Sequence, residues 1–223
     1  MKDFSPDTPK VGFQKELIRK GIHLFSLSIP IVYYYMSKEI ALAILVPITL
    51  ASIILDFLRY YSKTVATVFY KILGQILRKH ETGGKKTLNG GTYVLISAAV
   101  CVFLFPKVLV IMSFSILIIS DILAALVGMS IGKIKINGKT LEGSLAFFFS
   151  AIIVILVTPK ITYSFTEYLI GIAGALIGTL AELYSFNLLD DNFAIPVSIS
   201  GAMWLMYWLI LPEVNIYALE LLK

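Results

Sequence analysis

Apolar residues in this chain fall in long unbroken runs, not in the alternation of a strand or the narrow stripe of a surface helix. Seven runs can be marked, at 22–36, 40–57, 91–105, 108–131, 144–157, 168–186 and 193–211. A helix that crosses a bilayer needs about 20 apolar residues, with a range of about 17–25. The first, third and fifth runs are short, so they must borrow flanking residues or sit where the bilayer is thinned. The pattern predicts an all-α, polytopic integral membrane bundle of about seven transmembrane helices. Residues 1–21 form a polar N-terminal segment, 22–211 a single transmembrane domain and 212–223 a short tail. The loop 59–90 has its own periodicity. Val65, Val68, Phe69, Ile72, Leu73 and Ile76 recur at helical spacing, with Lys71, Gln75, Arg78 and Lys79 mostly opposite. That is an amphipathic helix lying on the membrane surface, or equally a helix packed on the bundle. A glycine-rich loop follows, at 82–91.

Composition agrees. The chain of 223 residues is 58% hydrophobic and only 15% charged, against about 45–50% and about 25% in soluble domains. With the N-terminus cytoplasmic, fifteen Lys and Arg residues fall on inner segments and four on outer ones. The positive-inside bias then predicts N-inside and C-outside, with the active site on the cytoplasmic side. The net charge of +5 sits in short loops between apolar runs. This suits headgroups or phosphates and not a nucleic acid. The single cysteine, Cys101, lies inside a run, which excludes a disulfide framework and a cysteine metal site. The polar N-terminus does not have the form of a secretory signal.

Chemistry is expected where ionisable groups interrupt apolar helices, because each costs at least about 2.5–3.5 kcal/mol to insert. Asp56, Asp121, Glu142, Glu182, Asp190 and Asp191 all fall toward the inner side. Glu39, Glu167, Glu213 and Glu220 sit at outer run ends and read as solvated loop charges. Acids gathered on the strongly basic side suggest a site for a metal ion and a polyphosphate. In the fourth run Asp121, Ala124, Ala125, Gly128 and Gly132 share one helix face, which allows close helix approach around a carboxylate. The segment after it holds Lys133, Lys135 and Lys139 among glycines, ending Gly138-Lys139-Thr140-Leu141-Glu142. It lacks Walker A spacing. Lysines there serve topology as readily as phosphate binding. In the sixth run Gly171, Gly174, Gly178, Glu182 and Ser185 share a face leading to Asp190-Asp191-Asn192. These three either ligate a divalent cation or cap the next helix. Glu16, Arg19, Lys20 and His23 form one stripe where the first run begins. Their bland reading is an i,i+4 pair and topology-setting cations. A cytoplasm-facing cavity is expected beside Asp121, walled by the small-residue faces of the fourth and sixth runs and lined by Glu182 and Gly128.

Five segments in order resemble the CTP-dependent lipid-alcohol kinases, the family of dolichol kinase, phytol kinase and CTP-dependent diacylglycerol kinase, itself similar at a distance to CDP-diacylglycerol synthases. They are Glu16-Leu17-Ile18-Arg19-Lys20-Gly21-Ile22-His23, Leu88-Asn89-Gly90-Gly91-Thr92-Tyr93, Asp121 with its small-residue face, Gly138-Lys139-Thr140-Leu141-Glu142-Gly143-Ser144, and Asp190-Asp191-Asn192-Phe193 with Pro196 and Gly201. Ser120 departs from the family's usual glycine. The resemblance implies transfer of the γ-phosphate of CTP to a lipid hydroxyl with Mg²⁺. Asp121, Asp190, Asp191 and Asn192 would hold the metal. Lys133, Lys135, Lys139 and Thr140 would hold phosphate, with Arg19, Lys20 and Asn89. Glu142 would orient Lys139 or a second metal, and His23 would act at the hydroxyl. The implied partners are a lipid alcohol entering sideways from the bilayer and a cytoplasmic nucleoside triphosphate, and a homo-oligomer is compatible. Two alternatives stay open: a cytidylyltransferase that leaves a CDP-lipid, and a transporter, against which the lack of repeated halves counts.

Overall fold

Polar residues beside the apolar runs start the helices. Ser37 accepts from the Ile40 amide at 3.4 Å, Ser62 from Val65 at 3.4 Å, Asn89 from Thr92 at 3.1 Å, Thr140 from Gly143 at 3.2 Å and Asp190 from Asn192 at 3.0 Å. Each satisfies an amide that the first turn leaves without a helical partner. The structure, a computed structural model, describes residues 9–74, 77, 87–184 and 190–220, with side chains from Glu16 onward.

The described helices are α1 (Pro9–Phe25), α2 (Ser28–Tyr34), α3 (Lys38–Tyr61), α4 (Lys63–Leu73), α5 (Gly90–Leu104), α6 (Lys107–Ile131), α7 (Leu141–Val157), α8 (Phe165–Tyr184) and α9 (Asp191–Ile210), with a 3-10 turn at Ala218–Glu220. Strands β1 (Lys135–Ile136) and β2 (Lys139–Thr140) pair antiparallel between α6 and α7. Their two-residue turn, Asn137 at φ 50° and Gly138 at φ 84°, has the positive φ pair that a tight hairpin requires. Four helices, α3, α6, α8 and α9, are long and apolar enough to cross a membrane, and α5 and α7 are shorter apolar helices.

The reading of the runs changes at the first of them. The run 22–36 is not one helix, since α1 ends at Phe25 and α2 begins at Ser28. Pro30 explains the break: it has no amide to donate, and in a continuous helix its ring would strike the Ser26 carbonyl. The amphipathic stretch is seen as α4, none of whose residues is buried. Its expected continuation through Gln75, Ile76, Arg78 and Lys79, and most of the glycine-rich loop, lie outside the described residues, as does Ser185.

Helix α6 is the axis of the fold. From Val108 to Ile118 it is buried on every side, and α1, α2, α5, α7 and α9 all pack on it. Its tightest junction is with α7. A Cβ on Gly143 would lie 2.7 Å from the Ala124 carbonyl, and one on Gly128 would lie 2.8 Å from Thr140 Oγ1. The helix continues through Gly128 and ends at Gly132, where a Cβ would meet Thr140 Cγ2 at 2.6 Å. The glycines of α8 serve packing of another kind: a Cβ on Gly171, Gly174 or Gly178 would strike Ile155, Met203 or Ile199 at 2.5–2.8 Å. They are a helix-packing face and not the cavity wall expected of them.

At Gly143 a methyl group would meet backbone, which cannot move aside as a flexible side chain can. Gly143→Ala should lower the thermal midpoint in detergent, by the equivalent of about 1–3 kcal/mol of overpacking. Gly21, in α1, has nothing within 4 Å of its notional Cβ, so Gly21→Ala should raise the midpoint through helix propensity, by up to about 1 kcal/mol. Shifts of the same sign would refute the packing argument.

Candidate functional site

The chain reverses direction so that the C-terminal end of α6, the hairpin, the start of α7, the end of α8 and the starts of α5 and α9 lie at one end of the bundle. Helix α1 packs against α6 at that end and supplies the cations. Lys20 Nζ donates to Asp121 Oδ2, and His23 Nε2 lies 3.8 Å from the same oxygen. The Lys20 side chain is 6% exposed and that of Asp121 14%, so the pair is largely desolvated and holds together only through mutual neutralisation. One turn outward, Arg19 donates to Glu16 at 2.6 Å.

A second charged group faces the first. Lys139, on β2, donates to Asp191 Oδ2 at 2.8 Å and reaches Glu182 Oε1 at 3.0 Å. Glu182 also accepts from Ser144 Oγ at 2.8 Å. Burial pushes the Lys139 ammonium down, but Asp191 and Glu182 outweigh it and raise its pKa above the ordinary lysine value. For a group raised on folding, the stabilisation is complete below its unfolded pKa and is lost only as pH climbs through the folded one. The Lys139 ammonium therefore keeps its charge at neutral pH, and its contribution is lost as the pH climbs into alkali.

These groups surround two cavities with a common wall. One, of about 400 Å³, is lined by Lys139, Thr140, Asp191 and Glu182 on one side and by Ala124 and Gly128 of α6 on another. The other, of about 220 Å³, is lined by His23, Asn89, Gly90, Gly91 and Asn192. Arg19, Lys20 and Asp121 line both. The cavity beside Asp121 expected from the small-residue face is present, but its second wall is α1 and the hairpin, with only Glu182 from α8.

The floor of the smaller cavity is held by a buried hub. Asp56 on α3 is wholly buried and accepts from the Asn89 amide at 2.8 Å, the Asn89 carboxamide at 2.9 Å and Thr92 Oγ1 at 2.7 Å. Arg59 Nε lies 3.5 Å from Asp56 Oδ1, and its Nη2 donates to the Thr87 carbonyl at 2.6 Å. The guanidinium also stands over the Phe69 ring of α4, 4.5 Å from its centroid. Asn192 donates to the Gly90 carbonyl at 3.3 Å, tying α9 to the same floor.

Of the residues singled out in the sequence, Arg19, Lys20, His23, Asn89, Asp121, Gly128, Lys139, Thr140, Glu182, Asp191 and Asn192 come together here. Four stand apart. Lys133 and Lys135 are exposed on the hairpin. Glu142 accepts from the Ile134 amide at 3.3 Å and so pins the hairpin to α7. Asp190 caps α9. Among the described residues no three His, Cys, Asp or Glu side chains cluster as a metal site.

Glu167, read as a solvated loop charge, is buried, and so are three cations that entered only the count for topology. Arg59 is 3% exposed, Lys107 0%, Lys160 4% and Glu167 1%. Glu167 accepts from the Thr162 amide at 2.9 Å and from Tyr207 Oη at 2.9 Å. Lys160 donates to the Thr158 carbonyl at 2.8 Å. For Arg59 a signal existed: Asp56 precedes it by three residues, the spacing of a helical pair.

Two curated proteins match most of the chain. The uncharacterized protein RP860 of Rickettsia prowazekii is 36% identical over 193 residues, covering 86% of this chain and 93% of that protein. This decides the relationship. The chain belongs to the RP860 family. The uncharacterized protein MJ1137 of Methanocaldococcus jannaschii is similar too, 32% identical over 190 residues, covering 82% of this chain and 89% of the relative. No family model and no solved structure matches the chain.

The Asp56 hub makes a stability prediction. Removing one member of a buried charge pair leaves the other unpaired, at a cost of about 3–5 kcal/mol. Asp56→Ala should lose about that much in a denaturation assay. The double variant Asp56→Ala/Arg59→Met should lose less than the two single losses added, which measures the coupling. Simple additivity would show that the two charges do not act as a pair.

Proposed function

We propose that this protein is a multi-pass membrane lipid kinase that transfers the terminal phosphate of a nucleoside triphosphate, CTP by the sequence resemblance, to the hydroxyl of a lipid alcohol. The observation that carries the reading is the wall shared by the two cavities, Arg19, Lys20 and Asp121. Transfer between two substrates needs two adjoining chambers with cations and carboxylates where they meet, and phosphoryl transfer depends on positioning and charge far more than on covalent chemistry.

In this reading the larger cavity takes the triphosphate. Lys139 and Arg19 neutralise it, and Thr140, at the N-terminus of α7, adds a hydroxyl and the favourable end of a helix dipole. Asp121 and Asp191 would hold Mg²⁺. The donor set fits the ion: Mg²⁺ keeps several waters and usually takes only one or two protein carboxylates beside substrate phosphate, so a three-acid cluster is not required. Each of these carboxylates is paired with a lysine, Asp121 with Lys20 and Asp191 with Lys139, and the lysines would be free to turn to phosphate oxygens if the carboxylates held the ion. Bound Mg²⁺ supplies charge neutralisation at the transferring group. The acceptor hydroxyl lies in the smaller cavity, where His23 accepts its proton as the oxygen attacks phosphorus and the bond to the nucleoside diphosphate breaks. Asn192 orients the hydroxyl, and Asn89, held by Asp56, shapes the floor beneath it.

A membrane setting supports the same reading. The helices turn large apolar side chains outward, among them Ile54 at 55% exposed, Ile153 at 63% and Trp208 at 67%, over more surface than a soluble monomer shows. We read the seven apolar runs as the membrane domain, α4 as a surface helix and the cavity end as cytoplasmic. Lys135 and Glu213 are exposed at opposite ends, and the native Cys101 is buried. Lys135→Cys should be labelled from the cytoplasmic face and Glu213→Cys from the other. Labelling of both from one face would end the topology.

The activity test uses purified protein, labelled CTP or ATP, Mg²⁺, and a panel of lipid alcohols plus a phosphatidate. The expected products are a lipid phosphate and a nucleoside diphosphate. Pyrophosphate with a CDP-lipid would make the protein a cytidylyltransferase instead. Asp121→Asn and Asp191→Asn should each lower kcat by at least about a hundredfold. Either variant keeping wild-type turnover at low Mg²⁺ would remove that residue from the metal site.

A further inference from the structure

Beside the smaller polar cavity, α3, α4 and α5 leave a groove of about 570 Å³. Leu55, Val65, Val68, Ile72 and Leu95 make its wall almost wholly apolar. Its volume lies in the range of about 300–1,000 Å³ typical of a pocket for one ligand. The groove is not closed off from the polar site, because Leu73, Asn89 and Gly91 line it and the smaller cavity alike. At this junction a Cβ on Gly91 would have only Asn89 Oδ1, at 3.0 Å, as a neighbour. Any other side chain would stand in the passage.

We infer that this groove holds the hydrocarbon chain of the acceptor, a single-chain amphiphile whose hydroxyl emerges between Gly91 and Asn89 into the smaller cavity. The inference rests on the reading of that cavity as the acceptor chamber. Continuity argues for one occupant spanning both spaces. A molecule filling the groove alone would leave its end against Asn89, whose amide and carboxamide are already committed to Asp56. A molecule filling the cavity alone would expose its tail to an apolar wall that begins at Leu73. Two features of the groove suit a chain that must be placed and not merely dissolved. Lipid tails are as apolar as leucine, so leaving the bilayer for the groove gains little hydrophobic free energy. What the groove supplies is register: it fixes how far the head extends. Its wall is also braced to the polar floor. Phe69 packs under the Arg59 guanidinium, and Arg59 stands beside the Asp56 that holds Asn89. The position of α4 and the position of Asn89 are thus set by the same buried hub.

The test is photolabelling of the full-length protein in phosphatidylcholine vesicles with a long-chain alcohol that carries a diazirine midway along its chain. Labelled peptides should come from α3, α4 and α5, around Leu55, Val65 and Leu95. Unlabelled long-chain alcohol should compete, and additional phosphatidylcholine should not. Leu95→Trp, which narrows the groove, should cut this labelling severalfold. In the activity assay it should raise KM for a long-chain alcohol by about tenfold while leaving a short, water-soluble alcohol within about twofold. Labelling centred on α1, α7 or α9, or competed equally by phosphatidylcholine, overturns the groove. Because labelling needs no turnover, the two readings fail separately. Groove labelling without phosphorylation of any alcohol would sink only the kinase, and phosphorylation with labelling elsewhere would sink only the groove.

Discussion

The arrangement depends on a charge placed in the most buried helix. Asp121 lies on α6, whose preceding turns are enclosed by the rest of the bundle. A carboxylate there is tolerated only with a cation beside it, and Lys20 supplies that cation from a helix a hundred residues earlier in the chain. The pairing fixes where α1 lies. With α1 in place, Arg19 and His23 reach the same region, and a space bounded by α1, the hairpin and α6 is defined. A buried pair adds little net stability, since desolvation offsets most of the attraction. An aliphatic residue would fill that position of the helix more cheaply, which is the physical reason for taking Asp121 as a candidate site residue. Lys139 is held in a similar way, between Asp191 and Glu182.

Much of this was legible in the sequence, and the pattern of failures is informative. The face carrying Asp121, Ala124 and Gly128 was readable because helix periodicity alone puts those residues on one side. Lys139, Thr140 and Asp191 were readable because each interrupts apolar sequence at the end of a run. Lys133 and Lys135 looked equivalent to Lys139, but a two-residue hairpin turns only one of the three inward, and its Asn137-Gly138 turn was the available signal. The stripe in α8 looked equivalent to the stripe in α6. Small residues state only that something comes close, and in α8 what comes close is Ile155, Met203 and Ile199. The identity of a neighbour is long-range information that composition does not hold.

Charges at run ends failed for the same reason. Glu167 was read as solvated and is buried, and a count of Lys and Arg by segment gave no sign that Arg59, Lys107 and Lys160 are buried too. Apart from Asp56 beside Arg59, their partners are carbonyls, amides, hydroxyls and aromatic rings, which carry no charge and leave no trace in such a count. Topology rules survive this because insertion responds to where a cation lies along the chain, and not to whether the folded protein later covers it.

The two ends of the bundle use buried charge in different ways. At the end away from the cavities, Glu167 is enclosed by the Thr162 amide, the Ile161 amide and Tyr207 Oη, all fixed donors at 2.9–3.2 Å. Such a carboxylate has nothing left to offer a ligand, and its work is to lock the start of α8 to the end of α9. At the cavity end the partners of Asp121 and Asp191 are lysines, which sit on long flexible stems and can exchange one anion for another. A carboxylate satisfied by backbone amides is structural, because breaking it would orphan the amides. A carboxylate satisfied by a lysine beside a cavity is exchangeable, because the ammonium finds an equal partner in an incoming phosphate. On that criterion, and without reference to any relative, the end where α1 meets α6 is the one at which an anionic ligand can compete for the lysines.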